Sequence, residues 1–306
     1  MGYPTASSTP SMSGVYIPEI WSGKLLEKFY PTTVFGSIAN TDYEGEISAY
    51  GDKVYIRTIP NMLVRKYVKG QPLIADSPEG GKRELRIDQG WYYNVAINKV
   101  DQKQSDIAFM DKWGEDASEQ IKIKQDSEIL ANIYADAAPA NSGATAGKIA
   151  GDINLGVTGT PLALDKSNIV DKIVECGQVM TEQDRPTTNR WMVLPAWANT
   201  RVLTSELKDA SLTGDGKSTL RNGRIGIIDN WEIFISNNLP WVVDGGKRCF
   251  YCPFGHKSAL TYAAQFVENE IIPNQNDFGQ LMRGLIVYGY EVIDPDSLGC
   301  MYARAA

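Results

Sequence analysis

The chain has 306 residues, 43% hydrophobic and 22% charged, a balance that suits a folded core of one large or two interleaved domains and excludes a disordered polymer. Its formal net charge of −7 argues against a protein whose task is gripping nucleic acid, because such domains cluster Lys and Arg to displace phosphate counterions. The start reads as no secretory signal, the myristoylation pattern fails at Ala6, and no apolar run approaches the roughly 18 residues of a membrane helix.

Residues 1–14 are Ser, Thr, Pro and Gly with little to bury and read as a flexible arm. Trp21, Leu25, Leu26 and Phe29 then fall at helical spacing, predicting a short amphipathic helix that Pro31 ends. From Gly51 the period drops to two. Val54, Ile56 and Thr58 share one face and Lys53, Tyr55 and Arg57 the other, which is a half-exposed strand. A second alternating run, residues 84–88, leads into Trp91, Tyr92, Tyr93 and on to Ile97, and a middle punctuated by Gly70, Pro72, Pro78, Gly80 and Gly81 separates the two. The simplest arrangement is one long hairpin over residues 46–103 with a tip near 70–81. With roughly 20 residues a side it would reach on the order of 60 Å. An isolated ribbon of that length is marginal in water, so other chains are expected to lie against it.

A helix of about 30 residues spanning about 45 Å is predicted from Ser105 to Ala135, with Ile107, Met110, Trp113, Ala117, Ile121, Ile129 and Ile133 as a partial apolar stripe. Asp106, Asp111, Glu115, Asp116, Glu119, Asp126, Glu128 and Asp136, against Lys112, Lys122 and Lys124, make its exposed face acidic. A Gly- and Ala-rich loop over 138–163 separates it from an α+β region. That region begins with a helix over 165–182 carrying Ile169, Ile173, Cys176 and Met180 and stopping before Pro186. An apolar strand over 190–194, a helix with Pro195 near its first turn, and two strands flanking Asp229-Asn230 follow. The last part reads as a helix near Lys257 to Phe266 and a strand over 283–293.

Chemistry is poorly represented. Gly214-Asp215-Gly216-Lys217-Ser218-Thr219 ends like a phosphate-binding loop, but Ser211 stands where the first Gly is needed and a helix, not a strand, precedes it. Cys249, Cys252 and His256 are ligand types at tight spacing that lack a fourth ligand, and they read first as buried structural thiols beside a helix-capping or core histidine. His256 is the sole histidine, which limits general acid–base schemes. Four cysteines, with Cys176 and Cys300, are too few for a disulfide framework in a chain of this length and point to a reducing compartment. No catalytic residue, cofactor or metal site is therefore assigned.

The order of parts resembles the major capsid protein of tailed bacteriophages, the Hong Kong 97-type fold. The stretches that carry the resemblance are Val15-Tyr16-Ile17-Pro18-Glu19-Ile20-Trp21-Ser22, Asp42-Tyr43-Glu44-Gly45 with Gly51-Asp52-Lys53-Val54, and Tyr67-Val68-Lys69-Gly70. Later come Asn222-Gly223-Arg224-Ile225-Gly226, Ser236-Asn237-Asn238-Leu239-Pro240, Arg283-Gly284-Leu285 and Tyr288-Gly289. The resemblance implies an α+β capsid fold: an N-terminal arm and short helix (1–45), an extended loop (46–103), a spine helix and peripheral domain (104–150), an axial domain (151–270) and C-terminal return strands (271–306). It implies a structural, non-enzymatic subunit forming hexamers and pentamers of an icosahedral head around double-stranded DNA contacted without sequence specificity. Scaffolding, portal and decoration proteins are the partners implied, with assembly in the host bacterial cytoplasm, residence in the virion and no membrane. Contact between subunits is expected from Trp21, Arg57, Arg65, Lys66, Tyr67, Lys69, Lys82, Arg83, Arg86, Trp91 and Tyr92 on the arm side, meeting Glu115, Asp116 and Glu119 on a neighbour's long helix. The alternatives are an encapsulin-type compartment shell and, remotely, a nucleotide- or metal-dependent enzyme.

Overall fold

The computed structural model describes residues 30–31, 33–42, 53–57, 62–72, 75–77, 80–98, 109–205, 227–274 and 279–306. The expected helix at 20–30, apart from Tyr30, and the Gly214–Thr219 loop lie outside them. In chain order come α1 (Phe35–Ile38), β1 (Lys53–Arg57), β2 (Lys82–Arg86), β3 (Gln89–Asn98), the long helix α2 (Phe109–Ile133), β4 (Leu162–Leu164), α3 (Ile169–Glu182), β5 (Arg190–Leu194) and α4 (Ala196–Leu203). The C-terminal part is all strand: β6 (Ile227–Ile228), β7 (Trp231–Ile235), β8 (Trp241–Asp244), β9 (Lys247–His256), β10 (Leu260–Pro273), β11 (Gly279–Val292) and β12 (Leu298–Ala305).

Among the described residues the strands make three sheets: β1–β2, then β10–β11–β3, then a seven-stranded sheet ordered β4-β12-β9-β5-β7-β6 with β8 also on β9. The arm is a different object from one long hairpin. β1 and β2 pair over five residues, Lys53↔Arg86 to Arg57↔Lys82. β3 leaves that ladder and pairs with β11, from Tyr288↔Gln89 to Gly279↔Asn98. The aromatic run at residues 91–93 thus belongs to a sheet with the C-terminal strands, because β11 offers it ten pairs where β1 has five residues in all.

The expected helix near 257–266 is also corrected. Ala259 N–H closes a turn on His256 O at 2.9 Å, and the chain continues as β10, antiparallel to β11 from Leu260↔Val292 to Pro273↔Gln280. Residues 260–263 are buried on both faces, which is what hid their period of two.

Elsewhere local chemistry and fold agree. β5 is buried throughout, parallel to β7 and antiparallel to β9. Asp229 and Asn230 take φ of 47° and 64°, and Gly245 and Gly246 take 57° and 76°, closing the β6–β7 and β8–β9 hairpins as turns with left-handed central residues. α3 starts at Ile169, later than expected, because Asp165 Oδ1 accepts the Ser167 and Asn168 amides at 2.8 and 3.0 Å and turns the chain first. One apolar cluster joins Ile129, Leu130 and Ile133 of α2 to α3, β5, β9, β10 and β12, so the central region shares its core with the end of the long helix. Arg190 is buried in it, donating to Pro186 O, Gly177 O and Arg185 O at 2.8, 3.1 and 2.9 Å.

At the edge of this core Glu182 Oε2 accepts the Ile149 and Ala150 amides at 2.8 and 3.0 Å, and Gln178 Nε2 donates to Oε1. These bonds, the Ala150 amide foremost, hold its carboxyl below the ordinary 4.5. A depressed carboxylate stabilises above its unfolded value and loses that contribution as pH falls through the folded one. Amide exchange at Ile149 and Ala150 should therefore accelerate on acidification below about pH 4.5 beyond the intrinsic chemistry. In Glu182→Gln that extra acceleration should vanish; its persistence would refute the assignment.

Candidate subunit-contact surfaces

The arm is anchored by a small cluster of its own. Ile56, Leu85 and Ile87 are buried against Ala263, with Val54, Val287 and Ile293 around them. Gly289 makes the seat possible: a Cβ there would lie 1.9 Å from Arg86 O and 2.8 Å from Arg86 C, so only bare backbone lets the end of β2 lie on β11.

The opposite face of the β1–β2 ribbon is cationic. Lys53, Tyr55 and Arg57 alternate outward on β1, and the register places Arg86, Glu84 and Lys82 opposite them. Lys82 Nζ sits 4.9 Å and Lys53 Nζ 5.8 Å from the Tyr55 ring centre. Glu84 is shared between Arg86 at 3.1 Å and Lys53 at 3.5 Å, and the Arg86 hydrogen bond first of all holds its carboxyl below the usual range. Over residues 53–88 eight cations (Lys53, Arg57, Arg65, Lys66, Lys69, Lys82, Arg83 and Arg86) oppose four acids (Asp76, Glu79, Glu84 and Asp88). Residues 53–88 thus carry +4, which leaves −11 on the rest of a −7 chain.

Beyond the ribbon the arm exposes apolar groups. Val64 is 90% exposed, Met62 72%, Tyr67 70% and Leu63 66%, and Lys66 and Lys69 stand in solvent beside them. Arg65 is held to Asp76 at 2.9 Å, and Gly70 turns the chain with φ +91°.

On the long helix the expected acidic face is largely answered within the chain. Lys112 pairs with Glu115 at 3.3 Å, Lys122 with Glu119 at 2.7 Å, and the Tyr30 hydroxyl donates to Asp116 at 2.7 Å. That last bond raises the Tyr30 hydroxyl to about 12. Asp126, expected on the exposed face, is buried: Oδ1 accepts the Val34 and Phe35 amides at 2.8 and 2.9 Å, and Oδ2 accepts Asn238 Nδ2 at 2.7 Å. Its position three and four residues before Ile129 and Leu130 puts it on their face, a signal present in the sequence but outvoted by composition. Trp91 is likewise engaged by its own chain. Its Nε1 donates to Glu128 at 3.0 Å and to the Tyr288 hydroxyl at 3.1 Å, and Tyr288 itself donates to Glu128 at 2.8 Å. Gln125 and Asn132 donate to Tyr262 and Tyr290 at 3.2 and 2.7 Å, so a ladder of polar contacts seats the helix on the β10–β11–β3 sheet.

The arm-side residues thus separate into groups. Arg57, Lys82 and Arg86 share the ribbon's outward face, Arg83 stands exposed on β2, Arg65, Lys66, Tyr67 and Lys69 lie on the exposed run, and Tyr92 is 77% exposed on β3. Trp21 lies outside the described residues. The cysteines are four buried thiols, and burial pushes Cys176, Cys252 and Cys300 upward, Cys300 to about 12. His256 Nδ1 meets Ser258 Oγ at 2.7 Å and accepts the Ser258 amide, and burial lowers its ring pKa. Among the described residues no three metal-ligating side chains come together.

A family model described as phage capsid protein matches residues 94–299. A solved structure from Mycobacterium phage Che8 is 25% identical, with a TM-score of 0.78 over 93% of this chain and 96% of that one. A capsid structure of the cyanophage P-SCSP1u superposes with a TM-score of 0.72 at 15% identity, covering 95% and 94% of the two chains. The mature capsid of bacteriophage PhiM1 gives 0.70 at 16% identity, over 94% and 92%. No curated protein matches the chain.

Proposed function

The chain belongs to the phage capsid protein family and is a structural major capsid protein of a phage head, and we propose that its copies close that head as hexamers and pentamers held together through the arm. The observation that carries the role of the arm is the exposed run at residues 62–68: a subunit that leaves Val64 90% and Tyr67 70% uncovered has surface that another chain must cover. In this reading Arg57, Lys82, Arg83 and Arg86 act through the +4 charge of residues 53–88 on the acidic remainder of a neighbour, and Arg65, Lys66, Tyr67, Lys69 and Tyr92 act at the contact itself. Trp21 on the N-terminal segment and Glu115, Asp116 and Glu119 on the long helix complete the contact set, the last three as ion-paired or hydrogen-bonded groups that would have to exchange partners on assembly.

The proposed units are the N-terminal arm (1–45), the extended loop (46–103), the spine helix with the peripheral domain (104–150), the axial domain (151–270) and the return strands (271–306). A scaffolding protein during assembly, a portal protein and a decoration protein are the proposed partners, with packaged double-stranded DNA inside. The net acidity would keep the inner wall from adsorbing DNA, and assembly would take place in the host cytoplasm.

Negative-stain microscopy of the overexpressed protein with scaffold supplied should show closed shells. A protein that stays monomeric under those conditions would sink the assembly claim. Deleting residues 70–81 should cut shell yield at least tenfold while leaving the thermal transition of the free subunit within a few degrees. Full yield of stable shells from that variant would show that the loop is dispensable.

A further inference from the structure

We propose that β8 is a receiving edge for an extended acidic peptide of another protein, which adds to the seven-stranded sheet as one more strand. The Tyr251 amide donates to Pro240 O at 3.1 Å, and bonded and non-bonded pairs alternate along an antiparallel ladder. Counting from that bond, Val242–Cys249 and Asp244–Lys247 are bonded pairs, and the N–H and C=O groups of Trp241 and Val243 point away from β9. Among the described residues no strand lies on that side, since β8 pairs with β9 alone. The side chains are open as well, with Trp241 47%, Val242 44% and Val243 60% exposed. The far edge of the same sheet is treated otherwise: on β4, Asn168 Nδ2 donates to Ala163 O at 2.9 Å and closes that edge with a side chain.

Two donors and two acceptors in line along a strand are met together by one extended backbone, and the side chains beside them select which. The charge here is cationic. The Arg248 guanidinium lies 4.6 Å from the Trp241 ring centre, over β8 itself, and Lys247 stands exposed at the end of the hairpin. The one acid of the hairpin is turned inward: Asp244 Oδ2 accepts the Gly159 amide at 2.6 Å and the Tyr302 hydroxyl at 3.3 Å. A peptide residue seated beside Trp241 would lie about 4.8 Å from it, within reach of that guanidinium for a carboxylate. Its neighbours along the peptide would turn to the Val242 face and meet an apolar side chain. The occupant that fits is therefore a strand with acids on one face and apolar groups on the other. A second copy of the same hairpin would set Lys247 and Arg248 against their own kind, so the strand comes from elsewhere.

The test is amide exchange in the full chain with the probe peptide acetyl-Glu-Val-Glu-Val-Glu-Val-amide. At saturating peptide the Trp241 and Val243 amides should exchange at least fivefold more slowly, while Val242 and Cys249, already bonded across the hairpin, should not change. The same peptide with Lys in place of Glu should bind at least tenfold more weakly. Val243→Pro removes an outward donor that no strand uses, a change an edge strand tolerates, and should weaken the acidic peptide at least tenfold with the thermal transition within a few degrees. If that variant does not fold, Arg248→Glu takes its place and should exchange the preference, binding the Lys peptide better than the Glu peptide; an unchanged preference overturns the proposal. No binding of the acidic peptide, binding that leaves the Trp241 and Val243 amides unprotected, or equal binding of the two peptides also overturns it. Protection of both amides in concentrated subunit or in shells with no peptide present would give the edge to a second copy and overturn it too, without bearing on assembly through the arm.

Discussion

In Asp126→Ala the free subunit is expected to lose about 3–5 kcal/mol of stability, the loss typical of breaking a buried charged network by removing one member. Two amides, at Val34 and Phe35, and the Asn238 side chain would lose their acceptor together, and an unpaired buried donor costs about 1–3 kcal/mol. Removing a buried carboxylate returns part of this, which keeps the expected loss below the sum of three such costs. The effect reaches past one residue, because Asp126 joins α1, the long helix and the loop after β7 at one point. With Val34 and Phe35 released, Ile38, buried completely beneath them, loses its hold on the core. Asp126→Asn retains one acceptor oxygen and should cost about 1–2 kcal/mol, the scale of a single weakened hydrogen bond to a charged group. Urea unfolding of the unassembled subunit measures both. A loss under about 1 kcal/mol for the alanine variant, the scale of one ordinary hydrogen bond, would show that the junction is not where this network is held.

Gly289→Ala should unseat the arm while leaving the larger core folded. A methyl placed 1.9 Å from Arg86 O and 2.8 Å from Arg86 C meets backbone, so no rotamer change can accommodate it and β2 must move off β11. The cluster of Ile56, Leu85 and Ile87 then opens, and each such side chain contributes roughly 1.5–3 kcal/mol when fully buried. Because that cluster is separate from the core that holds α3, β5 and β9, the loss is local. Amide exchange over residues 53–57 and 82–87 should quicken by at least a hundredfold, exchange in β5 should not change, and shell yield should collapse. Gly36→Ala is the control, since a Cβ there meets nothing within 4 Å. Unaltered exchange at residues 82–87 in Gly289→Ala would mean that the arm does not depend on this close approach.

Much of the fold was legible because its signals are local. The amphipathic stripe of Ile169, Ile173, Cys176 and Met180 marked α3, the apolar run at 190–194 marked β5, and Asp229-Asn230 marked a hairpin turn. The alternation of Val54 and Ile56 with Lys53, Tyr55 and Arg57 gave β1 with its buried and exposed faces correctly assigned. The order of these elements, with the quoted stretches, sufficed for the resemblance that the family match then met. What failed was partner choice. The period of β3 showed a strand, but nothing near it in sequence showed that it pairs with β11 some 190 residues away. Residues 260–266 read as helix because 260–263 are covered on both faces, which erases alternation, and β9 and β12 carry Gly, Cys or Pro that blur the same signal.

The contact surface divides in the same way. Residues 46–103 read as a basic, Tyr- and Trp-bearing arm on an acidic chain without any structure, because charge and composition are additive along the chain. Which of those groups are available follows from how distant segments pack. The folded chain spent Trp91 on Glu128, closed Glu115 and Glu119 with their own lysines, and buried Asp126 beneath α1. It also left residues 62–67 bare. The physical reason is that exposure belongs to a side chain together with everything packed on it, and those neighbours arrive through strand pairings between distant segments.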